Sequence, residues 1–146
     1  MDTLRRNRHI AVSATAATAA SSWVVVTRGI GVHLGVHLPH AAPSVVGLGP
    51  VVGASVGATL LGWALLDRLQ RRGGRALRSW TLLAVGVAVA SLALPAVFAT
   101  TAAAALGLCA IHLAVASVAI TGVRRGRAPR THAGALVGDQ HLLATP

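Results

Sequence analysis

Residues 79–123 read SWTLLAVGVAVASLALPAVFATTAAAALGLCAIHLAVASVAITGV, a run of 45 residues between Arg78 and Arg124 without a formal charge. A membrane-crossing helix needs about 20 apolar residues to traverse roughly 30 Å of hydrocarbon. One unbroken helix over this run would reach about 67 Å at 1.5 Å per residue, so the run has to fold back on itself. Pro95 marks where: it lacks an amide hydrogen and disfavours helix continuation. Thr100 and Thr101 can cap a fresh start. The run therefore predicts two spans, 79–98 and 101–123, joined by a tight hairpin.

Working outward, 38 residues between Arg28 and Asp67 also carry no formal charge. Gly29, Gly31, Gly35, Pro39 and Pro43 make residues 28–44 a loop, and residues 45–66 a helix with Pro50 near its start, where a missing amide hydrogen costs least. Residues 67–78 form a short polar connection turning at Gly73-Gly74. The third uncharged gap, 19 residues between Arg8 and Arg28, holds a helix over 10–27. It is weakly apolar, because Ala, Ser and Thr dominate from Ser13 to Ser22, and Trp23-Val24-Val25-Val26 supplies much of the drive. A signal peptide is the rival reading, with Arg5, Arg6 and Arg8 as its basic region and Ala17-Thr18-Ala19 as a small-x-small cleavage site. Against it, the apolar core before that site is short and lacks Leu, and the most hydrophobic residues lie beyond the cut. Residues 1–9 are then a basic N-terminal segment, and residues 124–146 a basic tail expected to be disordered. The fold class expected is all-α, an integral membrane bundle of four transmembrane helices with the N- and C-termini cytoplasmic.

Composition agrees. The 146-residue chain has a mean hydropathy of +0.69, with 54% hydrophobic and 11% charged residues, about half the charged fraction of a soluble domain. Thirteen arginines, no lysine and three aspartates give a net charge of +10. Such a pI raises nucleic acid as a partner. The placement argues otherwise, since basic clusters separated by long apolar stretches are what membrane loops look like, and anionic lipid headgroups are the partners expected. Twelve arginines fall in alternate segments (the N-terminal segment, the 67–78 connection and the tail) against one, Arg28, in the remaining loops. The positive-inside rule puts those twelve in the cytoplasm, in a plasma-membrane protein. Trp63 and Trp80 fall near that interface and Trp23 near the opposite one, as aromatic belts do.

Several stretches carry a family resemblance: Leu61-Gly62-Trp63-Ala64-Leu65-Leu66 with Ser79-Trp80-Thr81 beyond the arginine-rich turn, Ser91-Leu92-Ala93-Leu94-Pro95, Ala99-Thr100-Thr101-Ala102, and His112-Leu113-Ala114-Val115-Ala116. Together they resemble a family of small actinobacterial four-helix membrane proteins catalogued as a domain of unknown function of the 6069 type. The resemblance covers about residues 10–123 and is sharpest from Val46 onward. It implies four spans and no established activity.

Few positions could carry chemistry. His33, His37 and His40 share one loop, and imidazoles at this spacing can hold Zn²⁺ or Cu²⁺. No carboxylate or cysteine is near in sequence to complete a site, so solvated histidines at the membrane surface are the plainer expectation. Gly49, Gly53 and Gly57 repeat every four residues, the spacing that lets helix backbones approach closely in lipid, here within the chain or against a second copy. Asp67 stands at a helix end beside Arg68, Arg71 and Arg72, as a solvated ion pair would. None of the three aspartates is placed as an intramembrane proton carrier. His112 falls near the centre of the fourth helix, where an imidazole should be neutral, turned inward and hydrogen-bonded, with Ser91 or the hydroxyls of the first helix as partners. Cys109 lies on the same face and, as a lone cysteine, forms no intrachain disulfide.

No catalytic set emerges. The chain has neither lysine nor glutamate, which removes the phosphate-loop lysine and the zinc-protease base. No aspartate is placed for a Ser-His-Asp site. The sequence points to a non-enzymatic membrane protein without a cofactor, in a structural or interaction role. The alternatives are a small oligomeric pore or transporter built on the glycine-rich second helix, and a metal- or pH-responsive sensor using the outer histidines.

Overall fold

The computed structural model describes residues 2–37, 39, 42–71 and 75–127. Helix α1 spans Asp2–Val24 and widens into one π turn over Val25–Gly29. It therefore begins at Asp2, eight residues before the expected start: Arg5, Arg6 and Arg8 are good helix formers, and they extend it as an exposed basic segment within its first two turns. Gly31 then takes a positive φ of 77°, open to a residue without a Cβ, and the chain reverses.

Two short strands follow, β1 (Gly35–Val36) and β2 (Ser44–Val45), paired antiparallel with Gly35 opposite Val45. Helix α2 spans Leu48–Gln70, α3 Ala76–Ser91, α4 Ala93–Phe98 and α5 Ala102–Arg127. Among the described residues, four segments are long and apolar enough to cross a membrane: Arg5–Gly29, Leu48–Gln70, Ala76–Phe98 and Ala102–Gly126.

The fold-back of the 45-residue run forms at Pro95 and Thr101. The proline ring clashes with the carbonyl four residues back, that of Ser91, and α3 breaks at Leu92 before one further short helix, α4. Thr101 Oγ1 accepts the Ala104 amide at 3.1 Å, an N-cap for α5. That helix runs on through Arg124 to Arg127 instead of stopping at residue 123. The rest of the tail and the Gly73-Gly74 turn lie outside the described residues.

Segment 28–44, expected as a loop, is in its described parts a hydrogen-bonded cap over one end of the bundle. Val36 bridges to Ala99, the His37 amide donates to the Phe98 carbonyl at 2.8 Å, and the Thr100 amide donates to the Gly35 carbonyl at 3.0 Å. Leu34 plugs this end, fully buried against Val26 and Ile111, and the Trp23 indole donates to the Val46 carbonyl at 2.9 Å. At the other end Ala11, Trp63, Leu66, Trp80 and Val123 form a second cluster, and Asn7 Nδ2 donates to the Gly126 carbonyl. The described arginines of α1, α2, α3 and α5 thus gather at one end of the bundle, opposite Arg28. The three tryptophans divide between the ends as expected, but Trp63 and Trp80 are buried in the core instead of facing headgroups in a belt.

Helix α1 is the hub, packed along α5 and α2. Its buried seam is Ala11, Thr15 and Ala19, one residue per turn, with Ala11 packed against Trp63 and Leu66 of α2 and close to Gly122 of α5. Small residues bring backbones close, which is the main source of helix association where lipid is as apolar as any side chain. The buried hydroxyls bond back along their own helices, Thr15 to the Ala11 carbonyl and Thr59 to that of Ser55, both at 2.8 Å. Their polarity is thereby satisfied without a partner helix.

Candidate functional site

Helix α3 packs on its neighbours mainly at its ends. Near its start the Trp80 indole donates to the Gly62 carbonyl of α2 at 2.8 Å. At its last residue Ser91 Oγ lies 2.7 Å from His112 Nε2 of α5. Between these two staples no residue of α3 is fully buried, and a cleft of about 520 Å³ opens between α2, α3 and α5. That volume falls within the roughly 300–1,000 Å³ of small-molecule sites. The walls are Ala, Val, Leu and Ile side chains such as Ala58, Leu61, Leu65, Val87, Ala116 and Ile120. The polar atoms at its margin belong to Ser55, Thr59, Ser91 and His112.

The serine–imidazole pair closes one end of this cleft. Ser91 Oγ is also 3.0 Å from the Ala88 carbonyl of its own helix. A hydroxyl has one hydrogen, so when Ser91 donates it to Ala88, the imidazole donates from Nε2 to the serine oxygen. The serine hydrogen and the serine oxygen are then both engaged, and the contact ties α3 to α5. Ser91 is the partner on the third span that the sequence suggested. Cys109, one turn earlier on α5, is a half-buried free thiol outside the cleft lining.

The outer histidines are arranged differently. His33 lines a shallow depression of about 490 Å³ between the cap and the start of α5, and His37 is exposed just after β1. His40 lies outside the described residues. Among those that are described, no three His, Cys, Asp or Glu side chains come together as a metal would need.

For the glycine stripe of α2, the structure opposes packing within the chain and leaves contact with a second copy open. A Cβ added at Gly49, Gly53 or Gly57 would meet nothing within 4 Å, so the stripe makes no close contact within the chain. The close approaches are on α5. There a Cβ at Gly107 would stand 2.9 Å from Val26 Cγ1, at Gly122 3.1 Å from Ala11 Cβ, and at Gly126 2.7 Å from Trp63 Cη2. Gly122 and Gly126 are themselves four apart. A helix ending at residue 123 hides that pair, because it puts Gly126 in the tail.

The four apolar spans, the capped end and the intramembrane cleft define a multi-pass helical membrane protein. The chain belongs to the family of unknown function DUF6069, whose profile matches residues 1–129 and so takes in all four spans. No curated protein and no solved structure matches the chain.

Proposed function

We propose that this protein is a non-enzymatic plasma-membrane component, with both termini cytoplasmic, that acts by binding a lipid or partner within the bilayer. The observation that carries the reading is the cleft between α2, α3 and α5: a preformed apolar space with one hydrogen-bonding couple at its end. Binding sites have this character, mostly apolar walls with a few placed polar groups. The charge asymmetry between the two ends supports the orientation.

Two measurements test it. Reporters fused after Pro146 and within 67–78 should read cytoplasmic, and one near His40 external; an active alkaline phosphatase after Pro146 would overturn the orientation. Native mass spectrometry of the purified protein should show a retained small molecule or lipid that disappears when Ala58→Leu and Ala116→Leu fill the cleft. Identical retained masses in wild type and the filled variant would remove the binding reading.

A second reading, an oligomeric pore or transporter, is favoured by one observation: the open space over Gly49, Gly53 and Gly57 leaves α2 free to meet another copy. A monomeric mass at all protein-to-detergent ratios would exclude it.

A further inference from the structure

We infer that the cleft holds one acyl chain of an anionic phospholipid from the arginine-bearing leaflet, with the lipid phosphate at Arg68 and Arg124. The inference rests on the binding reading above and names its ligand.

Length is the first argument. The cleft runs along α2 from Leu65 to Ala54, along α3 from Trp80 to Ser91, and along α5 from Val123 to His112. Eleven residue steps along each wall rise about 16–17 Å. That is half of the roughly 30 Å hydrocarbon thickness, the depth of one leaflet. The three walls start together at the Trp80–Gly62 staple and end together at the Ser91–His112 couple. A site for a compact solute would need no such depth, and one for a spanning molecule would continue past His112. The couple closes the cleft where a leaflet's chains end.

Charge is the second. On α2 the lining residues Leu61 and Leu65 continue, at the next turn of the same face, to Arg68; on α5 Ala116 and Ile120 continue to Arg124. Both arginines are exposed. Two walls of the cleft therefore carry a guanidinium within one turn of their last apolar residue, at the depth of a headgroup. Arginine is suited to this position, since its planar fork pairs bidentately with phosphate oxygens. Apolar walls one leaflet deep with cations at their mouth complement a chain attached to an anionic headgroup.

The test uses the full chain in nanodiscs holding equal phosphatidylglycerol and phosphatidylcholine, released into native mass spectrometry. Wild type should retain one phospholipid with roughly thirtyfold preference for phosphatidylglycerol, the scale expected of two arginines at an anionic surface. Arg68→Gln with Arg124→Gln should retain a lipid without preference, and Arg68→Lys with Arg124→Lys should recover most of it. Arg5→Gln with Arg6→Gln, away from the cleft, should leave the preference unchanged. Equal retention of both lipids by wild type overturns the proposal. So does an equal loss of preference in the Arg5/Arg6 variant, which would mean a diffuse attraction of the whole basic end. If wild type shows no preference but Ala58→Leu with Ala116→Leu still removes the lipid, binding in the cleft stands and the anionic headgroup falls. If the filled variant keeps its lipid, both fall. Gel filtration and circular dichroism on each variant separate loss of lipid from loss of fold.

Discussion

Helices α1 and α3 invert what composition would suggest in water. α1 belongs to one of the two least apolar spans and is crowded with Ala, Ser and Thr, yet it sits at the centre of the bundle with Thr15 and Ala19 fully buried. α3 belongs to one of the two most apolar spans, yet it stands at the edge, with Leu82, Val87 and Val89 each more than half exposed. In water the large apolar residues would go inside. In lipid there is no gain in hiding a leucine from acyl chains, so position is decided by which backbones can come closest. A helix of small residues with self-satisfied hydroxyls therefore becomes the hub. A helix of Val and Leu becomes the outer wall, and because it meets its neighbours closely only at its ends, it leaves a cleft behind it.

The contrast breaks most readily at the seam. Ala19→Leu with Ala11→Leu is expected to cost several kcal/mol, since each overpacked site costs about 1–3 kcal/mol. Thermal unfolding in detergent followed by tryptophan fluorescence should show the loss. An unchanged transition would mean that α1 is not the centre of the bundle. The same helix answers the signal-peptide question: a cut after Ala19 would remove Ala11, Thr15 and Ala19 from the core, so the intact mass from native membranes should include residues before Ala19.

Gly122→Leu should follow at about 1–3 kcal/mol, because its side chain would press on Ala11. His112→Leu should insert normally and lower stability by about 1 kcal/mol. A double-mutant cycle with Ser91→Ala should return a coupling of about 0.6 kcal/mol and no more than about 1.7. A loss of several kcal/mol on His112→Leu would show a network beyond this one couple.

The smallest effects belong to the lipid-facing side. Gly53→Leu with Gly57→Leu should change the unfolding of the single chain by no more than about 0.5 kcal/mol, since the added side chains enter open space. A clear drop accompanied by a smaller assembly in native mass spectrometry would locate a second copy on that stripe. Val87→Leu on α3 should be neutral within about the same margin.

Span number and approximate limits were legible in the sequence because they depend on one-dimensional quantities: the length of uncharged runs, the place of Pro95, the cap at Thr101. The partner of His112 was legible only as a choice between Ser91 and the hydroxyls of the first helix, and the structure selects Ser91. Helix ends were less legible, as at Asp2 and Arg127, because arginine both marks a boundary and extends a helix into the interface. The paired strands of the cap were hidden by histidine, glycine and proline, which read as loop until Phe98 and Thr100 supply partners for the backbone. Which small-residue stripe forms the core could not be read at all. Gly49, Gly53 and Gly57 match the pattern as well as Ala11, Thr15 and Ala19 do, and only the placement of α1 between α2 and α5 selects one. The sequence by itself determined that this chain crosses the membrane and where each crossing lies, because transfer into lipid is settled segment by segment. The tertiary structure alone decided which faces meet and that a leaflet-deep cleft remains behind α3, because in a uniformly apolar solvent close packing, set by the shapes of several helices at once, chooses among faces that hydropathy cannot tell apart.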